Sequence, residues 1–308
     1  MSQPVFLFPG QGSQVVGMGR DLYDAFASVR DIFTAAADVA GFDVAAVCFD
    51  GPMETLTETR FLQPAMTAMV LSCYQAALEK ETLQPPAFMA GHSLGEYAAL
   101  AAAGVFSFED ALRLTTARGK LMQEQAEANP GAMAAILKLP ADTVKALIEE
   151  TALEHDLCLA NFNAPLQLVA SGSETGIQVL MEKAREQKGR VSQLKVSGAW
   201  HSPLMKGAEE PFNAVIDDIT FHTAKVPVLL NVTGEPEQEG KVIKARMKAQ
   251  MCSGVQWCPA MLHAWEEGSR LFVEFGPKGV LGKMLKTIVP DKTLLETRII
   301  DSVQADWA

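Results

Sequence analysis

Phe88-Met89-Ala90-Gly91-His92-Ser93-Leu94-Gly95-Glu96-Tyr97-Ala98-Ala99-Leu100 joins a short apolar run to a run of helix formers, with two glycines bracketing a serine at the junction. Residues 88–90 read as a short buried strand and residues 96–103 as a helix stopped by Gly104. A strand passing so directly into a helix must turn sharply. Side chains at 91 and 95 would collide there, and the strain of the turn projects the Ser93 hydroxyl outward. The Leu94 amide points the same way, at a helix N-terminus, and begins an oxyanion hole. As a bare pattern GxSxG arises by chance, but between a strand and a helix it reads as a nucleophile turn.

Working outward, residues 5–8 form another apolar strand, stopped by Pro9-Gly10, and residues 20–37 carry helical spacing. Gln63-Pro64 opens a further helix, and Ser107-Phe108-Glu109-Asp110 resembles a capping box that starts a helix through Met122. This alternation predicts a mostly parallel α/β sheet with helices on both faces. From about residue 127 the style changes: strands at 132–137, 157–162, 167–171 and 191–196 alternate with helices at 142–150 and 173–187. The order βαββαβ is that of a ferredoxin-like unit, inserted into the larger domain. The α/β pattern then resumes, with strands at 226–231 and 271–275 and helices at 245–251, 261–267 and 280–288. The predicted division is a catalytic core of 1–126 and 198–308, and a subdomain of 127–197.

The chain of 308 residues is 48% hydrophobic and 20% charged, a globular composition with ample core. Its net charge of −11 repels phosphate backbones and anionic lipid, so nucleic acid and membrane surfaces are not expected partners. Five scattered cysteines without metal-ligand spacing read as free thiols in a reducing cytoplasm, and no metal site is predicted. The first residues lack the basic and apolar regions of a signal peptide, and no stretch approaches the ~18 apolar residues of a membrane span.

A serine nucleophile needs a base. Among five histidines, His92 lies inside the turn, His155 in a polar loop, and His222 and His263 in no motif. His201, in the loop Val196-Ser197-Gly198-Ala199-Trp200-His201-Ser202 after the inserted unit, stands where the chain returns to the main sheet. From position alone its plainer reading is a solvated loop residue. Arg118, in Thr115-Thr116-Ala117-Arg118-Gly119-Lys120, carries the planar fork that binds a carboxylate with two parallel bonds. Its plainer reading is a surface arginine pairing with Glu124 or Asp110. Pro9-Gly10-Gln11-Gly12-Ser13-Gln14 lacks the spacing of a phosphate-binding loop; it serves better by presenting the Gln11 amide opposite that of Leu94.

Taken together, these residues resemble the malonyl-CoA:acyl carrier protein transacylase family. The resemblance runs through Phe8-Pro9-Gly10-Gln11-Gly12-Ser13-Gln14, Gln63-Pro64, Gly91-His92-Ser93-Leu94-Gly95-Glu96-Tyr97, Arg118-Gly119, Gly131-Ala132-Met133 and Asn161-Phe162-Asn163. It continues through His201-Ser202, Asn231-Val232, Gln250, Val255-Gln256-Trp257 and Glu274-Phe275-Gly276-Pro277. The resemblance implies a hydrolase-like α/β core with a ferredoxin-like subdomain and the active site between them. It implies Ser93 as nucleophile and His201 as base in a dyad, with no catalytic Asp, and Gln11 and Leu94 as oxyanion amides. Arg118, Gln250, Trp200 and His92 fall on the substrate side, with Arg118 on the malonyl carboxylate and Gln250 helping to orient His201. Trp200 resembles malonyl-selective relatives, its ring leaving little room for an α-methyl branch. The implied partners are malonyl-CoA and holo-acyl carrier protein, serving fatty acid or polyketide synthesis; the chain is expected to be a monomer with no bound cofactor. Carrier proteins are usually acidic, so a local basic rim is expected among Lys120, Lys195, Lys206, Lys278, Lys283 and Lys286.

Overall fold

The computed structural model describes residues 3–81, 83–153 and 155–307. Met1 and Ser2, within the segment read for a leader, and Glu154 beside His155 lie outside the described residues.

Six strands form the larger sheet: β1 (Val5–Phe8), β2 (Phe88–Gly91), β7 (Val228–Leu229), β8 (Pro236–Glu237), β9 (Leu271–Phe275) and β10 (Glu296–Ile300). Their order is β10-β9-β1-β2-β7-β8, all parallel except the edge strand β8. Four antiparallel strands form a second sheet: β3 (Ala132–Leu137), β4 (Leu157–Ala164), β5 (Gln167–Gly172) and β6 (Arg190–Gln193), in the order β4-β5-β3-β6.

Continuous apolar strands fit a sheet covered on both faces. Alternation sends Phe6 and Phe8 of β1 into one core and Val5 and Leu7 into another. Phe6 and Phe8 meet Phe275 at ring separations of 5.0 and 5.4 Å, a stiff aromatic platform beneath the nucleophile turn. The smaller sheet divides in the same way. Ala132, Ala134 and Ile136 of β3 pack with the helices Ala141–Glu149 and Glu174–Glu186, while Met133 faces the main body. Backbone ties β4 of the smaller sheet to the segment before the helix Trp257–Glu266: Phe162 donates to the Val255 carbonyl (2.9 Å) and Val255 to the Ala160 carbonyl (2.8 Å).

Several predicted boundaries move. The helix expected to open at Gln63-Pro64 begins earlier, as Thr59–Glu79, with Pro64 inside it. One missing ladder bond is tolerated where the helix is buried on nearly every side. The helix predicted over 20–37 is two, Arg20–Ala25 and Ala27–Ala40, because Phe26 is extended between them. The strand predicted over 191–196 ends at Gln193; Leu194 and Val196 instead line the site. The helix predicted over 261–267 begins at Trp257, since Pro259 fits a first turn whose N–H groups lack partners anyway.

Candidate active site

Ser93 stands at the end of β2 with φ of +50°, in the left-handed region that a side chain normally avoids. Two glycines make that possible. A Cβ on Gly91 would collide with the Gly95 backbone, and one on Gly95 with the Phe8 carbonyl. The helix Gly95–Ala102 therefore starts pressed against β1, with Leu94 as its N-cap while the next three N–H groups turn back to His92, Ser93 and Leu94. Gly10 is equally constrained: a Cβ there would lie 2.5 Å from the His92 oxygen and 3.4 Å from the Leu94 nitrogen. The loop carrying Gln11 thus runs directly against the turn carrying Leu94.

Asn231, just past β7, clasps the turn. It accepts at Oδ1 from the Ser93 amide (2.7 Å) and donates from Nδ2 to the Gly91 carbonyl (2.7 Å).

Ser93 Oγ lies 2.7 Å from His201 Nε2. On the other side of the ring, His201 Nδ1 lies 3.1 Å from the main-chain carbonyl of Gln250. A carbonyl only accepts, so Nδ1 carries the proton and Nε2 is left to accept from Ser93. His201 also has positive φ, +57°, so both members of the pair are held in strained backbone. Burial first, then the Arg118 charge, push its pKa down to about 3, which keeps the imidazole neutral at physiological pH.

Arg118 comes from the helix Phe108–Ala128 and is 1% exposed. The surface pairing that its position suggested is overturned: Lys120 takes Glu124 (3.9 Å) and Arg113 takes Asp110 (3.4 Å). Arg118 instead donates to three neutral acceptors, Gln63 Oε1 (3.1 Å), Gln250 Oε1 (3.2 Å) and Ser93 Oγ (3.4 Å). No carboxylate bridges it among the described residues, and its Nε has no partner. Burial lowers its pKa.

These groups open on a cavity of about 130 Å³, room for a short acyl group. Gln11, His92, Ser93, Leu94, Arg118, Trp200 and His201 all line it. Gln250 does not. It is wholly buried behind the wall, its Nε2 donating to the Ser93 carbonyl and to Glu96 Oε2, both at 2.9 Å. The resemblance put Gln250 at the substrate and also beside His201; its contacts make it a brace for His201, through its main-chain carbonyl, and for Arg118, but not a lining residue. His92 lines the cavity while bonded to Asn163 Oδ1 (2.8 Å) and packed edge-on to Trp257.

Sequence reasoning gave no role to Glu96, Gln63 or Asn231. Glu96 follows the turn in a helical first turn, where an acid ordinarily faces solvent and complements the helix dipole, so nothing local marks it as buried. Gln63 appeared as the opening of a helix and, like Asn231, as a member of a matching stretch.

A serine hydroxyl bonded to a neutral histidine at the tip of a parallel sheet, beside a buried guanidinium, defines an acyl-transfer enzyme. The pattern of the acyl transferase domain matches residues 5–305. The chain is 40% identical to a malonyl CoA-acyl carrier protein transacylase of Bacillus subtilis strain 168 over 292 residues, 94% of this chain and 91% of that one. Its structure superposes with a TM-score of 0.93 on an acyl carrier protein S-malonyltransferase from Vibrio cholerae, 34% identical, covering 99% and 98% of the two chains. It also superposes, with a TM-score of 0.92 and 35% identity over 98% and 97%, on a malonyl-transacylase in complex with its type II PKS acyl-carrier protein. The chain belongs to the malonyl CoA-acyl carrier protein transacylase family.

Proposed function

We propose that this chain moves a malonyl group from malonyl-CoA to the phosphopantetheine thiol of holo-acyl carrier protein, through a malonyl ester on Ser93. One observation carries the reading. A buried guanidinium with no carboxylate partner among the described residues stands 3.4 Å from Ser93 Oγ, which is itself 2.7 Å from a neutral imidazole. The site thus supplies an attacking hydroxyl, its base and the countercharge for an acyl group that ends in a carboxylate.

His201 takes the Ser93 proton as the oxygen attacks the thioester carbon. The amides of Gln11 and Leu94 receive the oxyanion, and His201 returns the proton to the departing thiolate. The carrier's thiol then repeats the steps in reverse. Hydrolysis is the competing outcome for the same serine and histidine, and one assay separates them. Mixed with malonyl-CoA alone, the enzyme is expected to release one equivalent of free CoA in a burst; continued release waits for holo carrier protein. Sustained release without the carrier would assign the chain to the hydrolases instead.

Trp200 sets the acyl size in this reading. Its indole lines the cavity and packs over Gly198, where a Cβ would lie 2.6 Å from the ring. We expect kcat/KM to favour malonyl-CoA over methylmalonyl-CoA, and Trp200→Ala to narrow that preference by about tenfold, since one methyl is worth roughly 1–3 kcal/mol in a fitted pocket. An identical ratio in the variant would remove Trp200 from selection.

The proposal extends to architecture and partners. The core of 1–126 and 198–308 is read as hydrolase-like and 127–197 as ferredoxin-like, supported by the strand order β4-β5-β3-β6. The carrier would approach past Lys195, which is exposed between Leu194 and Val196 at the cavity wall. Three other rim candidates are already engaged: Lys120 pairs with Glu124 (3.9 Å), and Lys278 holds the Gln14 carbonyl and Lys283 the Lys278 carbonyl, both at 2.7 Å. The proposal also includes a monomer acting in the cytoplasm, with coenzyme A and phosphopantetheine brought by the substrates rather than bound as cofactors. No described helix is long and apolar enough to cross a membrane.

A further inference from the structure

Glu96 is 1% exposed, on the second residue of the helix that begins behind the nucleophile. A buried carboxyl is costly unless its oxygens are satisfied. Here each oxygen has one donor from a different part of the chain: Oε1 accepts from the Asn231 amide (2.7 Å) and Oε2 from Gln250 Nε2 (2.9 Å). Each donor leads to a reacting group. The Asn231 side chain holds the Ser93 amide and the Gly91 carbonyl. The Gln250 side chain presents its oxygen to Arg118 Nη2, and its main chain presents a carbonyl to His201.

Hydrogen-bond polarity gives this arrangement one solution. An ionised carboxylate only accepts and a guanidinium only donates, so the Gln250 amide between them has its NH₂ toward Glu96 and its oxygen toward Arg118. We propose that Glu96 is a positioning residue for the whole site: its carboxylate, by fixing the Asn231 backbone and the Gln250 amide, holds Ser93 and Arg118 in register for acyl transfer. The inference rests on the transfer reading above. Once Glu96 is protonated, one oxygen becomes a donor and faces another N–H, either that of Asn231 or that of Gln250. A glutamine at 96 produces the same conflict permanently.

The charged group facing Glu96 is Arg118, from the helix Phe108–Ala128; the Tyr97 phenol of its own helix is titratable but held neutral by burial, and Asn231 and Gln250 are neutral. Burial raises the Glu96 pKa to about 7, opposed by the bonds from Asn231 and Gln250 and by Arg118. A raised carboxyl is lost as carboxylate when pH falls through 7. His201, at about 3, does not titrate in that window.

The test is kcat/KM for malonyl-CoA against pH, together with mass-spectrometric detection of acylated Ser93. The wild type should lose activity as pH falls below about 7, because kcat/KM reports the free enzyme. Glu96→Gln should have a plateau on the order of 10- to 100-fold lower, with that acid limb gone. Gln250→Leu removes a bond to the ionised form while keeping the carbonyl for His201, so its limb should move to higher pH. An undiminished plateau or an intact acid limb in Glu96→Gln overturns the proposal. Should that variant fail to fold, an unmoved limb in Gln250→Leu does the same. Failure to acylate Ser93 in the wild type would sink the transfer reading itself, whereas acylation with unaltered pH profiles in the variants sinks only the role of Glu96.

Discussion

Alanine at Ser93 or at His201 is expected to lower malonyl transfer by on the order of 10⁴-fold or more, and the double replacement to cost no more than either single one. The two side chains act as one unit. The hydroxyl is a poor nucleophile until a base 2.7 Å away accepts its proton, and the imidazole has nothing to activate once the hydroxyl is gone. The cavity, the Leu94 amide and Arg118 stay in both single variants, so each should still bind malonyl-CoA. The measurements are rapid-quench acylation and the KM of the residual activity. Multiplicative losses in the double variant would mean that His201 works on some other group. A second consequence concerns pH. With its pKa near 3, His201 is already in its basic form at neutrality, and raising the pH above 7 should not recruit more of it. The weakness of so unbasic a histidine is offset locally: as the imidazole gains its proton, the Gln250 carbonyl stabilises Nδ1–H.

The nucleophile was legible because its cause is local. Two glycines four apart, with a serine centred between a strand and a helix, encode a collision that only one backbone path avoids, and the structure has Gly91 and Gly95 pressed where a Cβ would clash. The strands β1 and β9 were legible for a related reason, since strands buried on both faces are largely apolar: β1 is so throughout and β9 at every position but Glu274. β10 was missed because Glu-Thr-Arg-Ile-Ile on a sheet edge is half polar, as edge strands are, and lacks the apolar continuity of its neighbours. Phe26 sits within a stretch of helical spacing, and only its extended conformation in the fold breaks the helix in two. His201 and Arg118 were reached through resemblance; spacing along the chain says nothing of a contact spanning 108 residues, or of a guanidinium turned inward from a helix whose other face is charged. Glu96 shows the limit most clearly. Its burial follows from where Asn231 and Gln250 arrive, 135 and 154 residues later.

Replacing Arg118 by alanine should cost malonyl transfer on the order of 10²- to 10³-fold in kcat/KM, from the roughly 2–5 kcal/mol that attends a buried carboxylate stripped of its partner. The same change should leave acetyl transfer within about tenfold of its wild-type value, since a neutral acyl group never used the fork. The ratio of the two substrates is therefore the sharper reading, because general damage to the turn lowers both together. Lysine at 118 should recover only part of the loss. One ammonium is a point charge on a flexible stem, whereas the guanidinium spans Gln63, Gln250 and Ser93 in one plane and still keeps Nε without a partner. Equal losses for malonyl and acetyl substrates would show Arg118 to be scaffolding for Ser93, with carboxylate recognition lying elsewhere.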